Sequence, residues 1–313
     1  MANKNKATLI GLIAILLWSS LVGTIKIVSE NFGAIAGTAL IYSIATILLF
    51  FIIGAPKLRD FSRRYLIWGS LLFVSYELCF SLSISFSHNG QQAIEVSMLN
   101  YLWPTLTIIS TILFNNQKTN LLIIPGGILP LIGISWVLSG EQEINIWLMI
   151  ENVKDNPLSY SLALIGAFIW SAYCIVTIKC AKGKNGVTLF FFLTALVLWI
   201  KYCLSDENTI IFSYSAIIFL LLAAISIGFG YASWNYGVLH GNVTILAGAS
   251  YFIPIISAAL SAFLLHTSLS LLFWQGTGMV CIGAILCWLS TRNSIKFVQK
   301  TKVINKQNNS SSK

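Results

Sequence analysis

The sequence predicts an all-α integral membrane protein, with ten transmembrane helices forming a 5+5 inverted-topology repeat and both termini cytoplasmic. Three observations carry this: the composition, the sorting of the few charges, and an internal match at a nearly constant offset. Of 313 residues, 57% are hydrophobic and 9% charged, whereas soluble globular domains carry about 25% charged residues. Apolar runs of bilayer-spanning length nearly fill the chain and leave no room for a folded soluble domain.

The first run, near 7 to 27, follows Lys4 and Lys6. It exceeds the roughly 7 to 15 residues of a signal-peptide core and lacks a small-residue cleavage site, so it reads as a retained span. The second, 34 to 54, ends at a basic cluster of Lys57, Arg59, Arg63 and Arg64. The third, 66 to 86, stops at the turn Ser87-His88-Asn89-Gly90, and the fourth, 93 to 114, contains Pro104 and ends in Asn115-Asn116-Gln117-Lys118. A glycine-rich fifth run, 121 to 139, completes a first repeat over 1–140, and 141–157 reads as an external linker. The second repeat, 158–292, begins with a sixth run, 158 to 179, closed by Lys179, Lys182 and Lys184; the seventh, 187 to 204, stops before Asp206-Glu207. The eighth, 214 to 238, turns at His240-Gly241-Asn242 into the ninth, 243 to 265, which contains Pro254, and the tenth is 271 to 290. The tail, 293–313, is rich in Asn, Ser and Lys and is expected to be disordered and cytoplasmic. The runs are about twice the length of a membrane-spanning strand and do not alternate, so helices are required.

Ten crossings from a cytoplasmic N-terminus place 16 of the 19 basic residues inside and leave Lys26, Lys154 and Lys201 outside. The same path puts seven acids outside: Glu30, Glu141, Glu143, Glu151, Asp155, Asp206 and Glu207. Adding or removing one span would scramble this segregation, which is the positive-inside pattern. The net charge of +9 therefore reports orientation and gives no nucleic-acid partner. The six cysteines lie within or at the ends of apolar runs, with no CxxC and no His/Cys grouping, so neither a disulfide framework nor a metal site is expected.

The repeat is read from ordered matches. Trp18-Ser19 pairs with Trp170-Ser171 at an offset of 152, and Asn100-Tyr101-Leu102-Trp103-Pro104 with Ser250-Tyr251-Phe252-Ile253-Pro254 at 150. Gly126/Gly276 and Gly133/Gly283 follow at 150, and Trp136/Trp288 at 152. Five is odd, so the second half enters the membrane from the opposite side, an architecture typical of secondary transporters with a midplane site between the halves. Pro104 and Pro254 are the expected helix-bend positions; taken singly, each repeated Gly or Pro is equally well explained as packing.

Glu77 and Glu95 are the only charged side chains well inside the expected spans. A charge there costs about 2.5 to 3.5 kcal/mol on insertion scales, which makes both candidates for coupling or for a counter-charge. Trp18, Tyr76, Tyr101, Trp103, Trp170, Tyr173 and Tyr251 fall near the midplane, where their polar tips suit a lined cavity better than lipid. Val96, Asn100 and Trp103 share one helical face, and Trp234-Asn235 repeats the aromatic-plus-amide pairing. Such groups receive an aromatic ring, an ammonium and a carboxylate, so an aromatic amino acid fits; so does a planar organic dication. His88, His240 and His266 fall at turns and read as polar loop residues. No Walker, HExxH or GxSxG pattern occurs, so no cofactor and no enzymatic activity is expected, and a membrane-embedded transferase has no polar catalytic cluster to work with.

Several runs resemble a known family: Phe73-Val-Ser-Tyr-Glu, Gln92-Ala-Ile-Glu-Val, Asn100-Tyr-Leu-Trp-Pro, Phe114-Asn-Asn-Gln-Lys-Thr-Asn, Gly166-Ala-Phe-Ile-Trp and Leu239-His-Gly-Asn-Val-Thr-Ile. They are similar to the drug/metabolite transporter superfamily (EamA-type) and, within it, to aromatic amino acid exporters of the YddG type, over roughly residues 6 to 292. The resemblance implies a bacterial inner-membrane exporter of phenylalanine, tyrosine and tryptophan that works by alternating access. Its alternative is a multidrug or quaternary-cation exporter whose cargo is methyl viologen. The resemblance also implies that Trp18, Tyr76, Glu77, Asn100, Tyr101, Trp103 and Trp170 line the cavity. A monomer in the lipid bilayer is expected.

Overall fold

The computed structural model describes the backbone of residues 4–139, 145–182, 184–207 and 214–310, and their side chains except 244 and 292–310. Glu141 and Glu143 lie outside the described residues. Among the described residues all regular structure is helical: α1 (Lys4–Ser19), α2 (Leu21–Phe32), α3 (Ala34–Ile53), a π-helical turn Tyr65–Gly69 leading into α4 (Ser70–Ser85), α5 (Gly90–Asn100), α6 (Trp103–Asn115) and α7 (Ile123–Leu138). There follow α8 (Ile146–Asp155), α9 (Pro157–Cys180), α10 (Val187–Cys203), α11 (Tyr214–His240), α12 (Val243–Ser250), α13 (Ile253–Leu264) and α14 (Leu271–Ser310).

Among the described residues six stretches are long and apolar enough to cross a bilayer: Ala34–Ile53, Tyr65–Ser85, Gly90–Asn115, Pro157–Cys180, Tyr214–His240 and Leu271–Thr291. The pair α1 and α2, bent by 42°, makes a seventh if taken as one span, and α7, α10 and α13 are shorter apolar helices.

Three of the expected spans are thus broken, each for a local reason. Between α1 and α2 the hydroxyls of Ser19 and Ser20 bond back to the Ile15 and Leu17 carbonyls at 2.7 and 2.8 Å, a pattern that bends helices. At the other two breaks Pro104 and Pro254 stand in the first turns of α6 and α13, where their missing N–H interrupts the ladder from the preceding helix.

Two further differences concern the ends of spans. The expected linker contains α8, capped by Asn145, whose side chain accepts from the amides of Trp147 and Leu148. The backbone of α14 continues to Ser310 through the segment expected to be disordered, a Lys/Gln-rich stretch with no Gly or Pro to end it.

Numbering the apolar segments one to ten, segment one (α1–α2) packs on eight (α11) and three (α4) on six (α9). Two (α3) packs on seven (α10), and five (α7) on ten (α14); one touches nine (α12–α13) as four (α5–α6) touches six. Shifting every number by five returns the same set of pairs. The equivalent members run in opposite directions: a Cβ on Gly126 would meet Cys287 while one on Gly133 would meet Gly276, and α3 meets the α10 region at Ile35 with Glu207 and at Tyr42 with Phe191.

The α7–α14 seam depends on its glycines. A Cβ on Gly133 would lie 2.5 Å from the Gly276 carbonyl oxygen, and one on Gly276 would lie 2.5 Å from that of Gly133. Backbone, not a yielding side chain, occupies the space. Gly133→Val is therefore expected to destabilise the protein by about 1–3 kcal/mol through overpacking, read as a lower apparent Tm in detergent. Because both glycines guard one contact, Gly133→Val with Gly276→Val should cost less than the sum of the two.

Candidate functional site

A cavity of about 230 Å³ opens where the two halves meet, walled by Trp18, Leu21, Tyr76, Glu77, Phe80, Asn100, Tyr101 and Trp103 from the first half. Trp170, Cys174, Ile227, Tyr231, Trp234, Ser250 and Ile253 complete it from the second. Eight of these fifteen residues are aromatic, and Glu77 is the only one with an ionisable carboxyl or amine.

Glu77 is held by hydroxyls from both halves. Tyr42 on α3 donates to Oε2 at 2.5 Å and Tyr231 on α11 donates to Oε1 at 2.6 Å, while the Tyr42 and Ser81 hydroxyls lie 2.8 Å apart. The carboxyl is 1% exposed, and none of the ion pairs among the described residues includes it. Among the described side chains, then, no cation pairs with the negative charge that Glu77 carries when ionised.

The aromatic wall is built around Trp170. Its ring centroid lies 4.4 Å from Tyr76, 5.1 Å from Tyr173, 6.1 Å from Trp103 and 6.4 Å from Tyr231. Trp18 meets Tyr231 at 5.2 Å and Trp234 at 5.3 Å. A Cβ on Gly230 would fall 2.6 Å from Trp18 Nε1, so that glycine gives the indole its place. Asn100 is threaded between helices: the Tyr76 hydroxyl donates to its Oδ1, and its Nδ2 donates to the Ala163 carbonyl, both at 3.4 Å. Gly166 leaves the room for that amide, since a Cβ there would lie 3.1 Å from Nδ2.

The structure thus gathers Trp18, Tyr76, Glu77, Asn100, Tyr101, Trp103 and Trp170 around one space. Three other candidates, Tyr173, Tyr251 and Glu95, stand elsewhere. Tyr173 packs behind Trp170, 5.3 Å from Phe73, with its hydroxyl 3.5 Å from that of Tyr65. Tyr251 turns at the α12–α13 break towards Trp288 and, with Pro104 and Pro254, borders a separate crevice. Glu95 accepts from Gln91 Nε2 at 3.0 Å and from the Tyr160 hydroxyl at 3.1 Å, tying α5 to α9 away from the cavity. Lys26, expected at the external face, is 3% exposed: α2 runs on past it, and its ammonium donates to the Ser87 carbonyl at 2.5 Å and pairs with Glu30 at 3.2 Å.

Tyr231 and Tyr42, whose hydroxyls hold Glu77, are not among the candidates that the sequence offers. A signal for Tyr231 exists, since Ile227, Tyr231 and Trp234 recur at helical spacing beside Gly228 and Gly230. Tyr42 has none, because it reaches Glu77 from behind the wall.

Comparison with known proteins gives a consistent set of relatives. The profile of the EamA-like transporter family matches residues 157–289. The Aromatic amino acid exporter YddG of Salmonella typhimurium is 56% identical over 287 residues, which cover 92% of this chain and 98% of that protein. Its namesake from Escherichia coli is 55% identical over 289 residues (92% and 99%), and that of Ancylobacter novellus 24% identical over 271 residues (82% and 88%). A solved chain titled "Crystal structure of protein" superposes with a TM-score of 0.64 at 20% identity, covering 93% of this chain and 99% of its own, so it shares the fold.

Proposed function

This chain belongs to the EamA-like transporter family of the YddG aromatic amino acid exporters, and from that premise we propose that it exports phenylalanine, tyrosine and tryptophan from the cytoplasm by alternating access. The observation that carries the reading is the cavity of about 230 Å³ between the halves, largely aromatic, with one carboxyl in its wall. The substrate ring stacks among Trp18, Tyr101, Trp103 and Trp170, where offset or edge-on ring pairs contribute about 0.5–1.5 kcal/mol beyond burial. Glu77 faces the substrate ammonium as its counter-charge. The carboxylate is taken by the Asn100 amide or by the backbone donors that begin α6. Glu95, with both oxygens engaged, serves to tie the halves together.

The topology belongs to the same proposal: ten crossings, two inverted halves, and both termini cytoplasmic in a bacterial inner membrane. Support comes from the sorted charges and from helix pairs that exchange when the segment numbers shift by five. Pro104 and Pro254 bend equivalent helices beside the cavity.

The test is flux of radiolabelled phenylalanine, tyrosine and tryptophan in proteoliposomes, with leucine and methyl viologen as comparison solutes and with and without an imposed pH gradient. Saturable flux of the aromatic amino acids is expected. Methyl viologen flux without it would favour the cation exporter, and flux of neither would overturn the reading.

A further inference from the structure

At the two helix breaks the backbone leaves carbonyl oxygens without donors. Leu102 N donates to Leu99 O at 3.2 Å, and the next bond is Leu106 N to Leu102 O at 3.0 Å. The second half repeats this 150 residues on, with Phe252 N to Ala249 O and Ile256 N to Phe252 O, both at 3.1 Å. Between these bonds stand Pro104 and Pro254. An α-helix would direct the N–H of residue 104 to Asn100 O and that of residue 254 to Ser250 O, and proline has none to give.

Among the described residues no other hydrogen bond to the Asn100 or Ser250 carbonyl replaces the missing one. Both residues are buried, at 1% and 6% exposure, and both line the cavity, one from each half. Unpaired carbonyls at this depth are tolerated where they face a water-filled or ligand-filled space. They also close α5 and α12, so each sits at the partially negative end of a helix dipole. The two oxygens of Glu77, meanwhile, are already bonded to tyrosine hydroxyls.

We propose that the Asn100 and Ser250 carbonyls form the ammonium subsite of this cavity, with Glu77 contributing charge at close range. The proposal rests on the reading of the protein as an amino acid exporter. A primary ammonium has three N–H donors and can bridge acceptors from both halves; a quaternary cation has none and leaves both carbonyls unpaired. The subsite therefore selects primary amines over quaternary cations, a preference that an aromatic box with one carboxylate would not impose.

The test measures binding to the purified full-length protein by calorimetry, using L-phenylalanine, phenethylamine, which lacks the carboxylate, and 3-phenylpropionate, which lacks the amine. In the wild type, 3-phenylpropionate is expected to bind at least ~10-fold more weakly than phenethylamine, the effect of losing hydrogen bonds to a charged group. Pro104→Ala and Pro254→Ala each return an N–H to the ladder. Each should weaken phenylalanine and phenethylamine by about 10-fold and change 3-phenylpropionate by less than about 2-fold. The proposal is overturned if either variant binds all three ligands as the wild type does while flux slows, which would make the proline a bend and nothing more. Equal wild-type affinity for phenylalanine and 3-phenylpropionate also overturns it, and that comparison needs no variant to fold. A wild type that binds no aromatic amino acid removes the exporter reading itself.

Discussion

Glu77→Gln is expected to raise the apparent KM for phenylalanine efflux by about 10- to 100-fold while leaving the folded protein nearly intact. The carboxyl accepts from Tyr42 at 2.5 Å and from Tyr231 at 2.6 Å. An amide of the same shape keeps one of those bonds, and Tyr42 has the Ser81 hydroxyl 2.8 Å away as an alternative partner. What glutamine removes is the charge that the proposed function sets opposite the substrate ammonium, and a bond or contact to a charged group is worth about 1.5–3 kcal/mol, hence the fold-change. Glu77→Leu makes the contrast. It strands the buried Tyr231 hydroxyl at about 1–3 kcal/mol and leaves Tyr42 only Ser81, so it should lower the apparent Tm in detergent as well as abolish efflux. Efflux from preloaded proteoliposomes and thermal unfolding separate the two outcomes. An unchanged KM in Glu77→Gln would leave Glu77 a structural tie between α3, α4 and α11.

What the sequence displays of this site, and what it hides, follow from different physics. Broken spans are legible at proline, because a missing N–H is a local property: Pro104 and Pro254 stand at the starts of α6 and α13. The bend at Ser19-Ser20 is less legible, since serine back-bonding occurs in straight helices too. Matched glycines mark the α7–α14 seam because close backbone approach excludes every other residue type. Depth along a helix is equally readable, and it brings Trp18, Tyr76, Tyr101, Trp103 and Trp170 to the cavity level. Facing is not. Tyr173 lies one turn from Trp170 but turns under it towards Phe73, and Tyr251 lies on the break itself, where a turn in place of a helix sends its ring to Trp288. Tyr42 and Tyr231 matter through Glu77, from helices 35 and 154 residues away in sequence, and no local spacing encodes such a meeting.

Trp170→Ala should then have the other large effect, and its pattern across substrates is more telling than its size. Trp170 stands at the centre of the ring contacts, within 4.4 to 6.4 Å of Tyr76, Tyr173, Trp103, Phe73 and Tyr231, while also facing the cavity. Truncating a tryptophan to alanine in a packed setting costs about 3–5 kcal/mol, part of it for the space left behind. That space here adjoins a cavity of only about 230 Å³, so the variant gains a pocket roughly one indole larger. Efflux should fall by about 100-fold or more for phenylalanine, given the stacking and burial lost. Tryptophan efflux should fall less, because its larger ring refills part of the gap. Trp170→Phe keeps an aromatic face against Tyr76 and should hold efflux within about 10-fold of wild type. Competition assays with the three amino acids on one preparation read the ratios directly. An equal loss for all three, with a lowered Tm, would mean that Trp170 supports the wall and does not touch the cargo. A loss that shrinks as the substrate ring grows places the indole in contact with the transported ring.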